Sequence, residues 1–480
     1  EAAAALAWEE VTSHWEAALD LMERTGAEAG RRAHLLARLA DLFFVAGSDL
    51  ARSIQCAEKA VVLYEELDDR QRVAVTRSRL GGYLTTNATY GVMDVPRGLR
   101  ELREAARVLQ SEPESLAYGY VQGSVGAAAG IWAAQLDEGL AASRVAMAIG
   151  EAQGHEPLWA MGAMLAGYAL SGLGAMDDGL DLMEQAWSTA DRLDHRYLAT
   201  RCVHCRTCWT TLVHDPLVTA RWAERELSKR RLAHAPIQRQ VVQGQLAWAW
   251  AQAGKLAEAQ RLVDELLDLP IGVFRPSLEL WEGKWQEAED VLLRALDQHR
   301  ATGNRFDEAR TLGWIADCRR MRGSWDGSEE YYRQVLDVVV PLSHRVLEVH
   351  GRVGLGLVAL ERDRLTEARA QIGRARELTA GESWAGLAGR LELAEATLRA
   401  AEGDLSGSEA RFALAVDCFR RRAVSWDEAE ALLYWGRALA RTDDGLRARE
   451  RMDDALAVYQ QIAATEPWRA KVRAERVLLS

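Results

Sequence analysis

Three cysteines, Cys202, Cys205 and Cys208, recur at a spacing of three in the run Cys-Val-His-Cys-Arg-Thr-Cys. On a helix, thiolates at that spacing share a face, and His195, His204 and His214 lie close by in sequence. A structural zinc site needs four ligands at close range, and its specific form is a pair of Cys-x2-Cys knuckles. A single run inside a helical pattern falls short of that, and a buried thiol also serves as a small apolar filler. The three cysteines stand as a candidate metal set, but core filling is the reading their spacing favours. No cofactor is expected.

Other chemistry-bearing motifs are missing from the sequence. There is no G-x-x-x-x-G-K-[ST] phosphate loop, no H-E-x-x-H and no G-x-S-x-G. The pairs Gly172-Leu173-Gly174 and Gly354-Leu355-Gly356 lack a preceding strand pattern and read as close-packing glycines. Catalysis is not expected. Two further groups of residues could bind rather than react. Tyr168, Trp209 and Trp248 each stand six residues before a turn signal, with Met164 and Cys205 one helical turn earlier on the first two faces. Further along, Arg310, Asp317, Arg320, His350 and Arg390 form a polar set. Rigid aromatics make good anchors, although ordinary packing between successive hairpins is the favoured account of such a stripe, and a solvated helix face is the favoured account of the polar set.

The elements that would position these residues follow from composition. The chain has 480 residues, 49% of them apolar and 27% charged, with only 9 Pro. Ala, Leu, Glu and Arg dominate, all good helix formers, so an all-α class is expected. The net charge is −12, and an acidic surface repels phosphate backbones, so direct nucleic-acid binding is not expected. The basic runs Lys229–Arg231 and Arg420–Arg422 sit near predicted helix C-termini, where cations complement the dipole. No apolar run approaches the roughly 20 residues of a membrane span. Six cysteines do not make a disulfide scaffold, and the opening does not read as a secretory leader, so a cytoplasmic location is expected.

A repeat governs the chain. A turn residue followed five positions later by a small residue appears at Ser53, Gly98, Gly139, Gly179, Ala220, Ala259, Ala288, Ser328, Ala368, Ser408 and Ala448. Successive steps are 45, 41, 40, 41, 39, 29, 40, 40, 40 and 40. Seven residues on, the chain is apolar throughout, from Ala60 through Leu227 to Ala455. Seven before each turn lies another small residue, such as Ala40, Cys208, Ala247, Ala316 and Ala396, with Asn87 the modest exception. Antiparallel helices cross closely where both carry small side chains, and a hairpin unable to bury its face alone stacks on its neighbours.

This pattern resembles the tetratricopeptide family in a long form of about 40 residues per unit. The resemblance implies a right-handed superhelical α-solenoid of about eleven antiparallel hairpins. It also implies that Tyr168, Trp209 and Trp248, with Met164 and Cys205, line a concave groove for a protein or peptide, and that the groove continues through Arg310, Asp317, Arg320, His350 and Arg390. The usual helix-ending proline is mostly absent. Two prolines, Pro270 and Pro276, interrupt the 29-residue step. The expected organisation is an amino-terminal arm over 1–269, a short irregular unit over 270–283, and a carboxy-terminal arm with a closing helix over 284–480.

The opening around Trp8 and Trp15 and the close from Ala455 through Pro467 to Glu475 resemble the ends of repeat regions in large bacterial signalling ATPases. Some of those carry LuxR-type DNA-binding domains, others nucleotide cyclases. The resemblance implies a segment of a longer protein whose ATPase and output domains lie outside this chain. The expected role is an interaction or sensor scaffold in signalling or transcription regulation. The alternative is a small-molecule effector domain within the superhelix.

Overall fold

The computed structural model describes residues 2–26, 28–46, 49–85, 93–232, 236–266, 274–381, 384–442 and 444–477. Twenty-four α-helices follow one another, with no strand among the described residues. Between the opening helix Ala2–Arg24 and the closing helix Glu466–Val477, the others alternate as eleven helix–turn–helix hairpins.

Each hairpin is punctuated by local chemistry. The first helix ends at a residue in the left-handed region, where glycine pays no Cβ penalty, as at Gly254 (φ 80°) and Gly323 (φ 75°). The second helix commonly opens on an N-cap whose side chain accepts a backbone N–H. Asp49 accepts from Arg52 at 3.0 Å, Asp94 from Arg97 at 2.9 Å and Asp404 from Gly407 at 3.0 Å. The fourth residue after that start is the small one, buried against the preceding helix. Where it is serine, its hydroxyl donates across the crossing. Ser53 reaches the Ala40 carbonyl at 2.8 Å, Ser328 that of Ala316 at 2.9 Å and Ser408 that of Ala396 at 2.9 Å. Where it is Gly98, an added Cβ would stand 2.9 Å from the Gly81 carbonyl oxygen, so only glycine fits there.

One unit departs from the expected register. Asp215 caps its helix by accepting from Val218 N, so the small position is Thr219, fully buried, and not Ala220. The turn residue is His214 (φ 57°). Every register of this unit therefore moves back by one, and the steps either side become 40 and 40. The apolar Leu227 gives way to Glu226, which is fully buried. The small Cys208 gives way to Thr207, and Cys208, not Trp209, is the counterpart of Tyr168 and Trp248. Thr219 and Thr210 then share a hydrogen bond of 2.7 Å inside the crossing. In the 45-residue unit, Asn87 lies outside the described residues, and Gly81 is the partner of Gly98.

The shortened unit opens on the helix Phe274–Trp281, about two turns long. Residues 267–273, with Pro270, lie outside the described residues, as does the side chain of Pro276, so the proline interruption falls there.

The chain forms two compact units. The first comprises Glu1–Ala169, Ser188–Leu193 and Arg300–Phe306. It is built from hairpin crossings such as Ala40, Ile54, Ala57 and Leu80, and Ala74, Ala105, Leu109 and Val121. The second comprises Leu170–Trp187, Asp194–His299 and Asp307–Ser480, and it holds most of the candidate site residues.

Candidate functional site

The second unit is wound tightly enough to touch itself. Trp426 Nε1 donates to the Ala251 carbonyl at 2.9 Å, 175 residues away. Thr465 Oγ1 reaches the Glu282 carbonyl at 2.6 Å across 183 residues, and Trp468 Nε1 that of Trp281 at 2.7 Å across 187. Leu387 N donates to the Val213 carbonyl at 3.0 Å. In each case the end of one first helix meets the start of a helix five units later in the array. Close backbone approach makes this possible, since a Cβ on Gly386 would stand 2.4 Å from the His214 carbonyl oxygen.

Inner side chains thus meet each other. Arg320 and Glu430 form a bidentate ion pair at 2.6 and 3.2 Å, with Arg320 only 3% exposed. Asp317 accepts from Tyr332 Oη at 2.6 Å and faces His350 Nε2 at 3.3 Å. Arg390 Nε donates to Asp427 at 2.8 Å, and His214 Nδ1 lies 3.6 Å from the other Asp427 oxygen. Burial raises a carboxyl pKa, but here the basic partners win. His350, Arg390 and Arg320 hold Asp317 well below the usual carboxylate range, and Arg390 and His214 do the same for Asp427. His214 itself is pushed down by burial, only partly offset by Asp427.

Aromatic rings pack beside this charge cluster. Trp248 meets Trp281 at 5.5 Å and Trp314 at 4.7 Å, and Trp426 meets Trp468 at 5.0 Å. Together with Thr211 and Gln252 they line a cavity of about 90 Å³. A second cavity of about 440 Å³ lies between Trp285, Arg320, Arg437, Tyr459, Trp468 and Lys471.

The structure gathers Trp248, Arg310, Asp317, Arg320, His350 and Arg390 at this interior, all lining one or both of the cavities. It buries Trp209 fully, with its ring 5.4 Å from that of His344, and buries Cys205. Met164 and Tyr168 belong to the first unit, both buried, where Tyr168 meets Phe306 at 6.0 Å. The three cysteines of the candidate metal set are buried too. Burial pushes the Cys208 thiol up to about 12 and raises those of Cys202 and Cys205. Among the described residues no cluster of three or more His, Cys, Asp or Glu could hold a metal ion.

The sequence reading passed over Glu430, Asp427, Lys471, Trp281, Trp285, Trp314, Trp426 and Trp468, and it named His214 only beside the candidate cysteines. One signal for Glu430 was available. Arg310, His350 and Arg390 stand forty apart, and one more period lands on Glu430. The tryptophans carry no such signal, because their convergence depends on how tightly the coil is wound.

Residues 277–339 match the tetratricopeptide repeat family. No curated protein matches the chain by sequence. Among solved structures, the APC/C hetero-tetramer Cut9–Hcn1 superposes with a TM-score of 0.58 at 12% identity, covering 98% of this chain and 87% of that one. The chain folds as a tetratricopeptide-like array of helical hairpins. A Rap protein complexed with competence and sporulation factor aligns at TM-score 0.41, 10% identity, over 82% of this chain and 99% of that one. The human IFIT1 dimer with PPP-AAAA aligns at 0.43, 11% identity, over 80% and 90%.

Proposed function

We propose that this chain is a non-catalytic sensor scaffold, in which closure of the second unit controls access of a protein or peptide partner to its inner face. One observation carries this reading: the groove-type residues Trp248, Asp317, Arg320 and Arg390 are sealed by contacts between repeats far apart in sequence, such as Arg320 with Glu430. A surface of anchors and paired charges held shut by a few such contacts suits a gated interaction site. The Cut9–Hcn1 assembly, a relative in fold, is itself a complex of protein chains.

The test is hydrogen exchange with partner capture. Trp426→Phe with Trp468→Phe removes two closing hydrogen bonds. Segments 209–215 and 384–390 should then lose protection together, and capture of the partner should rise and depend on Trp248. Capture indifferent both to opening and to Trp248→Ala removes the reading.

The smaller cavity favours a second reading, a small-molecule effector inside the coil. Gln252 Oε1 and Thr211 Oγ1 are buried beside it without a hydrogen-bond partner among the described residues, and unpaired buried polar atoms are expensive unless something satisfies them. A metabolite screen by thermal shift separates the two readings.

The resemblance of both ends of the array to bacterial signalling ATPases extends the proposal to a cytoplasmic signalling or transcription-regulatory protein. There, separate ATPase and output modules would read the state of this array. The gene sequence flanking the segment tests that context directly.

A further inference from the structure

The cavity of about 440 Å³ in the second unit is rich in donors that no described residue accepts. Arg320 Nε, Arg437 Nε and Trp285 Nε1 are buried there without a hydrogen-bond acceptor among the described residues. Arg320 is 3% exposed, and both its terminal nitrogens are committed to Glu430. Arg437 spends its terminal nitrogens on Glu361 at 3.1 Å and Glu475 at 2.6 Å. Lys471 lies against the ring of Trp285, its ammonium 5.5 Å from the ring centre, and donates to the Met321 carbonyl at 3.0 Å. Among the described residues no carboxylate comes within 4 Å of that ammonium. Burial pushes its pKa down to about 8.

A buried ammonium on the carbon stem of a lysine carries three donors, and one carbonyl satisfies one of them. An indole N–H adds another. Glu430, the carboxylate that lines this cavity, is already bound to Arg320. Donors therefore exceed acceptors, and the volume of about 440 Å³ lies within the range of small-ligand pockets.

We propose that this cavity binds a small organic oxyanion, a carboxylate or a phosphate ester, with Lys471 and Trp285 supplying the contacts. Lys471 gives the charge and a donor beyond those taken up by the Met321 carbonyl and, weakly at 3.8 Å, by Met321 Sδ, and Trp285 Nε1 gives a directional N–H. The Arg320–Glu430 pair forms one wall, so the anion sits beside a contact that closes the unit. This site stands independently of whether a protein partner uses the inner face.

The experiment uses the whole chain with glutarate, inorganic phosphate and glycerol 3-phosphate as probes, against sodium chloride at matched ionic strength. The melting temperature should rise by several degrees with at least one oxyanion and not with chloride. Whichever class gives the larger rise identifies carboxylate or phosphate. Trp285→Phe, which keeps the ring packed, should reduce affinity about fivefold to thirtyfold, and Lys471→Met should abolish it. Should Lys471→Met fail to fold, acetic anhydride labelling of the parent protein decides instead. Modification of Lys471, followed by mass spectrometry, should slow at least fivefold when the oxyanion is present. No rise beyond chloride, a rise unchanged in Trp285→Phe, or labelling of Lys471 indifferent to the oxyanion overturns the proposal.

Discussion

Arg320 and Glu430 stand 110 residues apart and meet through two hydrogen bonds of 2.6 and 3.2 Å inside the second unit. The pair belongs to two first helices, Arg305–Met321 and Ser425–Ala440, and neither charge faces solvent. Breaking a buried pair from one side leaves an uncompensated charge and costs about 3–5 kcal/mol. Glu430→Ala is expected to destabilise the second unit by that amount in urea denaturation. Replacing both by apolar residues, Arg320→Met with Glu430→Met, is expected to recover most of it. A double variant no better than the single one contradicts the account.

Glu226 is fully buried where ten of the eleven repeats carry an apolar side chain. It survives because Arg231 reaches it at 2.9 and 2.7 Å and Trp187 Nε1 at 3.0 Å. Glu226→Ala should cost about 3–5 kcal/mol, because it breaks a buried charge pair from one side. Glu226→Gln keeps acceptors for both donors and should cost less. Thermal melts of the two variants provide the comparison.

Acid should weaken the fold in two stages. Burial pushes His204 down to about 3 and His344 to about 4, so both stay neutral when folded and titrate near 6.5 when unfolded. The unfolded chain then binds more protons, and stability is lost as pH falls from about 6.5 towards 4. For His344 alone the window is worth about 3 kcal/mol. Its Nδ1 accepts from Leu347 N as an N-cap, which requires the unprotonated nitrogen. His344→Asn keeps a capping acceptor and should flatten this part of the stability profile. The second stage comes below about pH 4, where Asp317 and Asp427, held ionised by their cations, take up protons only with loss of the fold.

Closure by turn-to-helix contact is expected to fail at Gly386. A methyl there would press on the His214 carbonyl, and backbone cannot move aside cheaply. Gly386→Ala should cost about 1–3 kcal/mol and loosen exchange protection at Leu387, whose N–H binds Val213. Gly373 lies in the interior of the helix Leu365–Leu378 with nothing within 4 Å of an added Cβ. Gly373→Ala should instead stabilise by about 0.5–1 kcal/mol.

The thiols report the same core. Cys202, Cys205, Cys208 and Cys318 are buried and their pKa values raised, whereas Cys56 and Cys418 are partly exposed. A disulfide reagent should label at most those two in the native protein and all six in denaturant. Rapid reaction of the Cys202–Cys208 run in the native protein would place that helix face outward and contradict the packing.

Sequence alone determined the repeat, because helix crossings impose a local demand. Small residues at Ser53, Ala288 or Ser408 are needed wherever two neighbouring helices touch, and that demand recurs every unit. The forty-residue ladder of Arg310, His350 and Arg390 is likewise written in the sequence, and the structure sets those three side chains along one cavity. The error at Ala220 was equally local: a capping Asp215 looks like a turn residue until the left-handed conformation of His214 is known. Only the tertiary structure decided that the inner face is closed. Small tilts between successive hairpins accumulate, and their sum sets whether Trp426 meets Ala251 or faces an open groove. No single repeat encodes that sum, so the convergence of tryptophans and buried charges, with the cavities between them, became visible only in three dimensions.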